Sequence, residues 1–132
     1  MNDISWKYVK PLADEKSIAE YEALTGAVLP EDIKSIVRQH NGGRPSHKYY
    51  DLPAEKDKEF KTLLSFNRTD VENVFSFYPI DSANRRLVPF ATDPAGNCFV
   101  LKNGKIYLWL HEMDKAVFVA ESFSAFLEML HE

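Results

Sequence analysis

Asn103-Gly104 lies between NCFVLK and KIYLWLH, two runs rich in β-branched and aromatic residues. That dipeptide favours the type I′ turn, whose twist matches a two-residue hairpin. If these are the turn residues, the register follows: Lys102 faces Lys105, Leu101 Ile106, Val100 Tyr107, Phe99 Leu108 and Cys98 Trp109. Paired residues share a face. One face therefore carries Phe99, Leu101, Ile106, Leu108 and Leu110, wholly apolar and bound for a core. The other carries Cys98, Val100, Lys102, Lys105, Tyr107, Trp109 and His111, apolar in the middle and charged at the turn. Either the N-terminal segment covers this second face through Trp6 and Tyr8, or the face meets a partner. Tyr and Trp suit the latter because each joins a large apolar body to a polar tip.

LVPFAT before this pair and KAVFVA after it have the same strand character, and helical spacing flanks them. Ser17-Ile18-Ala19-Glu20 has capping-box spacing, which predicts a helix over 17 to 25 ended by Gly26. In LPEDIKSIVRQHNGG, Pro30 fits a first helical position and Glu31 and Asp32 favour the positive end of the helix dipole. Ile33, Ile36, Val37 and His40 form its buried stripe, and Asn41-Gly42-Gly43 stops it. Residues 44 to 61 read as a charged, solvent-facing connection with a short strand at 47 to 52. A strand over 62 to 66 and a short helix over 70 to 77, capped by Thr69 or Asp70, lead to Pro79. ESFSAFLEMLHE closes the chain as a helix capped by Ser122. The whole predicts one α+β domain over 1–132, a mainly antiparallel sheet with helices packed on it.

A chain of 132 residues can bury roughly two-thirds of its unfolded surface in one core. One cysteine, Cys98, allows no internal disulfide and no cysteine zinc site; in a strand it reads as a small core hydrophobe, and a reducing cytoplasm is expected. No apolar run reaches the length of about 18 residues that a membrane span needs. The net charge is −4, with the basic residues scattered and Arg85-Arg86 the adjacent pair, so direct nucleic-acid binding is not expected. Mild acidity serves solubility and also suits a basic partner.

No nucleophile elbow, phosphate-binding glycine loop, HExxH or EF-hand pattern is present. His40, His47, His111 and His131 lack ligand spacing, so neither metal nor cofactor is expected. Asp93-Pro94-Ala95-Gly96-Asn97 has good turn chemistry. It would serve a small hydrolase or ligand-binding protein, with Asp93 and His111 converging, only if a pocket joined them.

Leu29-Pro30, the Asn41-Gly42-Gly43 stop, VPFATDPAGNCFVL, GKIYLWLHE and VAESFSAFLEML, in that order over residues 17 to 130, resemble the SUKH superfamily, which includes fungal cell-wall-synthesis regulators and bacterial immunity proteins. The resemblance implies an α+β fold and a non-enzymatic role: a cytoplasmic protein that binds and neutralises a polymorphic toxin domain, often a nuclease. The short stand-alone chain favours this over a regulatory scaffold of the fungal kind. Leu29, Pro30, Gly42, Gly43, Pro89, Phe90, Asp93, Gly96 and Asn97 match the pattern and read as fold-defining. Partner contacts are expected on variable surface instead: Asp51, Glu55, Asp57 and Glu59 in the 47 to 59 loop, with Tyr107, Trp109, Glu112 and Asp114. Acidic side chains there suit a basic nucleic-acid cleft on a toxin.

Overall fold

A computed structural model of the chain describes residues 3–80 and 87–132; Arg85-Arg86 lies outside them. The centre is a five-stranded antiparallel meander: β5 (Thr62–Leu63), β6 (Val88–Thr92), β7 (Cys98–Lys102), β8 (Lys105–Leu110) and β9 (Lys115–Ala120), each beside the next. The β7–β8 register is the one the Asn-Gly turn predicts, from Cys98 opposite Trp109 to Lys102 opposite Lys105. Two ribbons accompany it: β1 (Trp6–Lys7) with β2 (Arg44–Pro45), and β3 (Tyr49–Leu52) with β4 (Glu55–Glu59). Among the described residues four helices complete the fold, α1 (Lys16–Thr25), α2 (Glu31–His40), α3 (Val74–Phe77) and α4 (Phe123–Met129). The α+β class and the mainly antiparallel sheet stand as read.

One sheet face builds the main core. Phe90, Phe99, Leu101, Ile106 and Leu108 meet Ile18 and Tyr21 of α1, Ile33 and Val37 of α2, and Phe123 and Phe126 of α4. The Tyr21 hydroxyl reaches into this core and donates to the Pro89 carbonyl at 2.6 Å. Pro89 adjoins a register irregularity in β6, a place where a residue without an N–H is tolerated.

The second face is covered, but by other residues than expected. Ile80 and Leu87 pack on Cys98, Val100 and Trp109, with Phe77 and Tyr107 at the margin. Trp6 instead pairs with Pro45 and stacks on His40 at 5.7 Å, and Tyr8 is 70 % exposed. The reason is topological. β1 is pinned to β2 just after α2, which holds the N-terminal segment away from that face.

Local signals were rewritten at three helix starts. Ser17 and Glu20 form no capping box; the Lys16 N–H donates to Asp14 Oδ1 at 2.9 Å, and α1 begins one residue early. Pro30 is the residue before α2, in extended backbone. The helix expected over 70 to 77 shrinks to α3, capped by Asn73, whose side chain accepts the Ser76 N–H. Asp70 is drawn elsewhere, accepting from the Ser65 hydroxyl and Asn67 Nδ2. At α4 the reading stands: Ser122 Oγ accepts the Ala125 N–H at 3.0 Å. The strand expected over 62 to 66 is β5, two residues long.

Gly43 is required by close approach. A Cβ there would lie 2.9 Å from the His40 carbonyl oxygen and 3.3 Å from both Trp6 and Val9. The chain turns there so that Gly43 can also accept the Leu63 N–H at 3.0 Å.

Candidate partner-binding surface

The charged stretch from 49 to 59 is a β-hairpin rather than a loop with one strand. Glu55–Glu59, EKDKE, has poor strand propensity, and what holds it is its partner β3, whose Tyr50 is fully buried in the core. Asp51, Glu55 and Asp57 are thereby fixed, exposed, at the hairpin's outer end. Asp51 Oδ1 accepts the Asp57 N–H at 2.8 Å, which holds Asp57 at φ 53°.

His131 clasps this end. Its backbone pairs with Tyr49 in both directions, at 2.7 and 3.1 Å. Its Nε2 lies 3.3 Å from Asp51 Oδ1 and 3.8 Å from Asp57 Oδ1. These three side chains have ligand spacing for a cation, yet an imidazolium between two carboxylates satisfies the same geometry. Its hydrogen bond to the Glu132 carbonyl, and then the Asp51 carboxylate, raise the His131 pKa. The Asp57 N–H, and then His131, lower that of Asp51. A raised histidine contributes fully below the ordinary imidazole pKa and is lost as pH rises through the raised value. A lowered aspartate contributes above the ordinary carboxylate pKa and is lost as pH falls through the lowered value. The clasp is therefore complete between those two ordinary values. An NMR titration should give His131 a midpoint above that of an exposed imidazole, and Asp51→Asn should bring it down; an unchanged midpoint in that variant would refute the pairing.

The loop over 93 to 97 links the hairpin to the turn after β8. Asp93 Oδ1 accepts the N–H groups of Ala95 and Asn97 at 2.9 and 2.8 Å, and Oδ2 accepts Asn97 Nδ2 at 3.1 Å. Asn97 Oδ1 in turn accepts the His111 N–H at 3.2 Å, and Gly96, at φ 86°, faces the His111 ring. The Asp93 carboxylate is thus spent on its own turn, and His111 packs against the loop's other side, with its Nε2 3.3 Å from the Ala95 carbonyl oxygen. Asp93, Pro94 and Ala95 also line a groove with Glu55 and Asp57. The hairpin acids and the β8–β9 turn, with Glu112 and Asp114, accordingly sit at the same end of the molecule.

Three residues of the expected contact set lie apart. Trp109 is a correction: it is 6 % exposed, packed under Ile80 and Leu87, and its indole N–H donates to Asp114 Oδ1 at 2.9 Å. Its role is to hold the turn, since a buried ring offers a partner no area. Tyr107 lies near the Asn103-Gly104 end, edge-on to Phe118 at 5.6 Å. Phe118 is 47 % exposed and was missed by the sequence reading, because β9 alternation alone does not say which of its faces the helices leave open. Glu59 sits at the hairpin base, 3.8 Å from Lys48. Cys98 is buried, and desolvation, then the Asp93 charge, push its thiol up to about 12, so it stays protonated.

What these observations define is a small α+β domain that displays a charged, rigidly held loop cluster at one end of its sheet, its acids interleaved with Lys56 and Lys58. The chain belongs to the SMI1 / KNR4 family (SUKH-1), whose model matches residues 12–129. A comparison with curated proteins returns no match. Among the described residues no helix is long and apolar enough to cross a membrane.

Proposed function

We propose that this chain is a non-enzymatic, cytoplasmic immunity protein that binds and neutralises a polymorphic toxin domain, of the nuclease class. The observation that supports the reading best is that the 93 to 97 loop lines a groove with Glu55 and Asp57, interleaved with Lys56 and Lys58, and bonds His111 of the turn that carries Glu112 and Asp114, on a member of the SUKH family. A nuclease cleft is basic because it must hold phosphates, and a preorganised acidic surface occupies it at low entropic cost. Hairpin pairing and the His131 clasp hold Asp51 and Asp57, and the Trp109 indole holds Asp114, before the partner arrives.

The reading expects a neighbouring gene to encode a toxin with a C-terminal nuclease domain, and the test uses that domain. The purified chain should bind it and block its nuclease activity. Glu55→Lys combined with Asp57→Lys should slow association about tenfold at low salt, with the difference shrinking as salt rises. If the chain neither binds nor inhibits that domain, the reading fails. Capture of the same endogenous protein from cells without any toxin gene would favour the regulatory scaffold instead.

A further inference from the structure

The basic residues that look scattered in the sequence are partly collected by the fold. β1 and β2 set Lys7 opposite Arg44, and Lys48 and Lys61 flank the base of the β3–β4 hairpin. With Tyr8 and Glu59 they line a groove of about 430 Å³. Four cations there face one carboxylate among the described lining residues, in a chain whose net charge is −4. The Arg44 guanidinium lies 5.6 Å from the centre of the Tyr8 ring, and Tyr8 is held at φ 59°. Lys48 rests 3.8 Å from Glu59, and Lys61 3.8 Å from Glu72. Both pairs are partly exposed, so an incoming carboxylate can exchange with these partners at little cost.

We infer that this groove binds a short acidic segment of a protein partner. Its volume is that of a compact ligand site rather than of a channel that follows a phosphate strand. The charge pattern points the same way. Beyond Glu59 the hairpin alternates in sign, with Glu55 and Asp57 beside Lys56 and Lys58, so a uniformly anionic strand leaving the groove finds no continuous basic track. A polypeptide can change sign from one residue to the next, so acidic residues fill the groove while basic ones meet the hairpin. The groove adjoins the hairpin surface invoked above at Glu59 but does not depend on the toxin reading.

The experiment is an amide chemical-shift titration of the whole chain with a glutamate-rich peptide of about ten residues, run beside an oligothymidylate of about the same length. The peptide should shift Lys7, Tyr8, Arg44, Lys48 and Lys61. Arg44→Glu with Lys48→Glu, shown folded by circular dichroism, should weaken it at least about tenfold. Absence of shifts at millimolar peptide, unchanged binding by the double variant, or tighter binding of the oligothymidylate at the same residues would each overturn the inference.

Discussion

Asn41→Ala is expected to cost about 3 kcal/mol or more of stability, although it removes only one small polar side chain. Asn41 is 1 % exposed. Its Nδ2 donates to the Lys10 carbonyl at 2.8 Å and to Ser65 Oγ at 2.9 Å, and its Oδ1 accepts the Phe66 N–H at 2.8 Å. Its own carbonyl accepts the Lys10 N–H at 2.8 Å. One residue thus ties the N-terminal segment, the end of α2 and the chain after β5 together. Truncation leaves the buried Phe66 N–H and the part-buried Lys10 carbonyl without this partner and takes one of three bonds from Ser65 Oγ; an orphaned buried group costs about 1–3 kcal/mol. Asn41→Asp keeps the shape, yet it places a charge where Nδ2 had donated to the Lys10 carbonyl, and it should be at least as damaging. Urea unfolding monitored by fluorescence measures both; a loss under about 1 kcal/mol for either would refute the role given to Asn41.

Phe126→Ala should be the largest core effect, about 3–5 kcal/mol. The ring is fully buried, with ring centroids of Tyr50, Phe60 and Phe99 at 5.4, 5.6 and 5.3 Å. These neighbours come from β3, the residue after β4, and β7, so the cavity would open where the acidic hairpin is seated. Phe126→Leu keeps most of the volume and should cost distinctly less. Hydrogen exchange should show the β3–β4 amides losing protection in Phe126→Ala before the β7–β8 amides do. Equal loss in both ribbons would mean that the hairpin is not seated by this aromatic cluster.

Much of the frame was legible in advance because it rests on short-range rules. The Asn103-Gly104 turn, the alternation on either side and the Ser122 cap each involve residues within a few positions of one another. The false capping box at Ser17 failed because an equally local competitor, Asp14, lies three residues upstream and takes the Lys16 N–H first. The second strand of the hairpin was missed because EKDKE has no strand character of its own. Its pairing follows from Tyr50 and Phe60, which anchor the base of both arms in the core.

The candidate site was legible residue by residue but not as a surface. Acidic positions in a charged stretch are visible in a sequence; that Asp93 is consumed by its own turn and that Trp109 is roofed by Ile80 and Leu87 are not. Asn41 read as a helix stop, and its three side-chain bonds reach residues 24 to 31 positions away.

By itself the sequence determined the strand register, the face that must be core and the class of the fold, since turn geometry and a period of two act over a few residues and need no knowledge of the rest. Only the tertiary structure decided what covers the second sheet face, which acids gather at one end and which cations share a groove. Those depend on where distant parts of the chain return to the sheet, and that is fixed by the burial of the aromatic core as a whole.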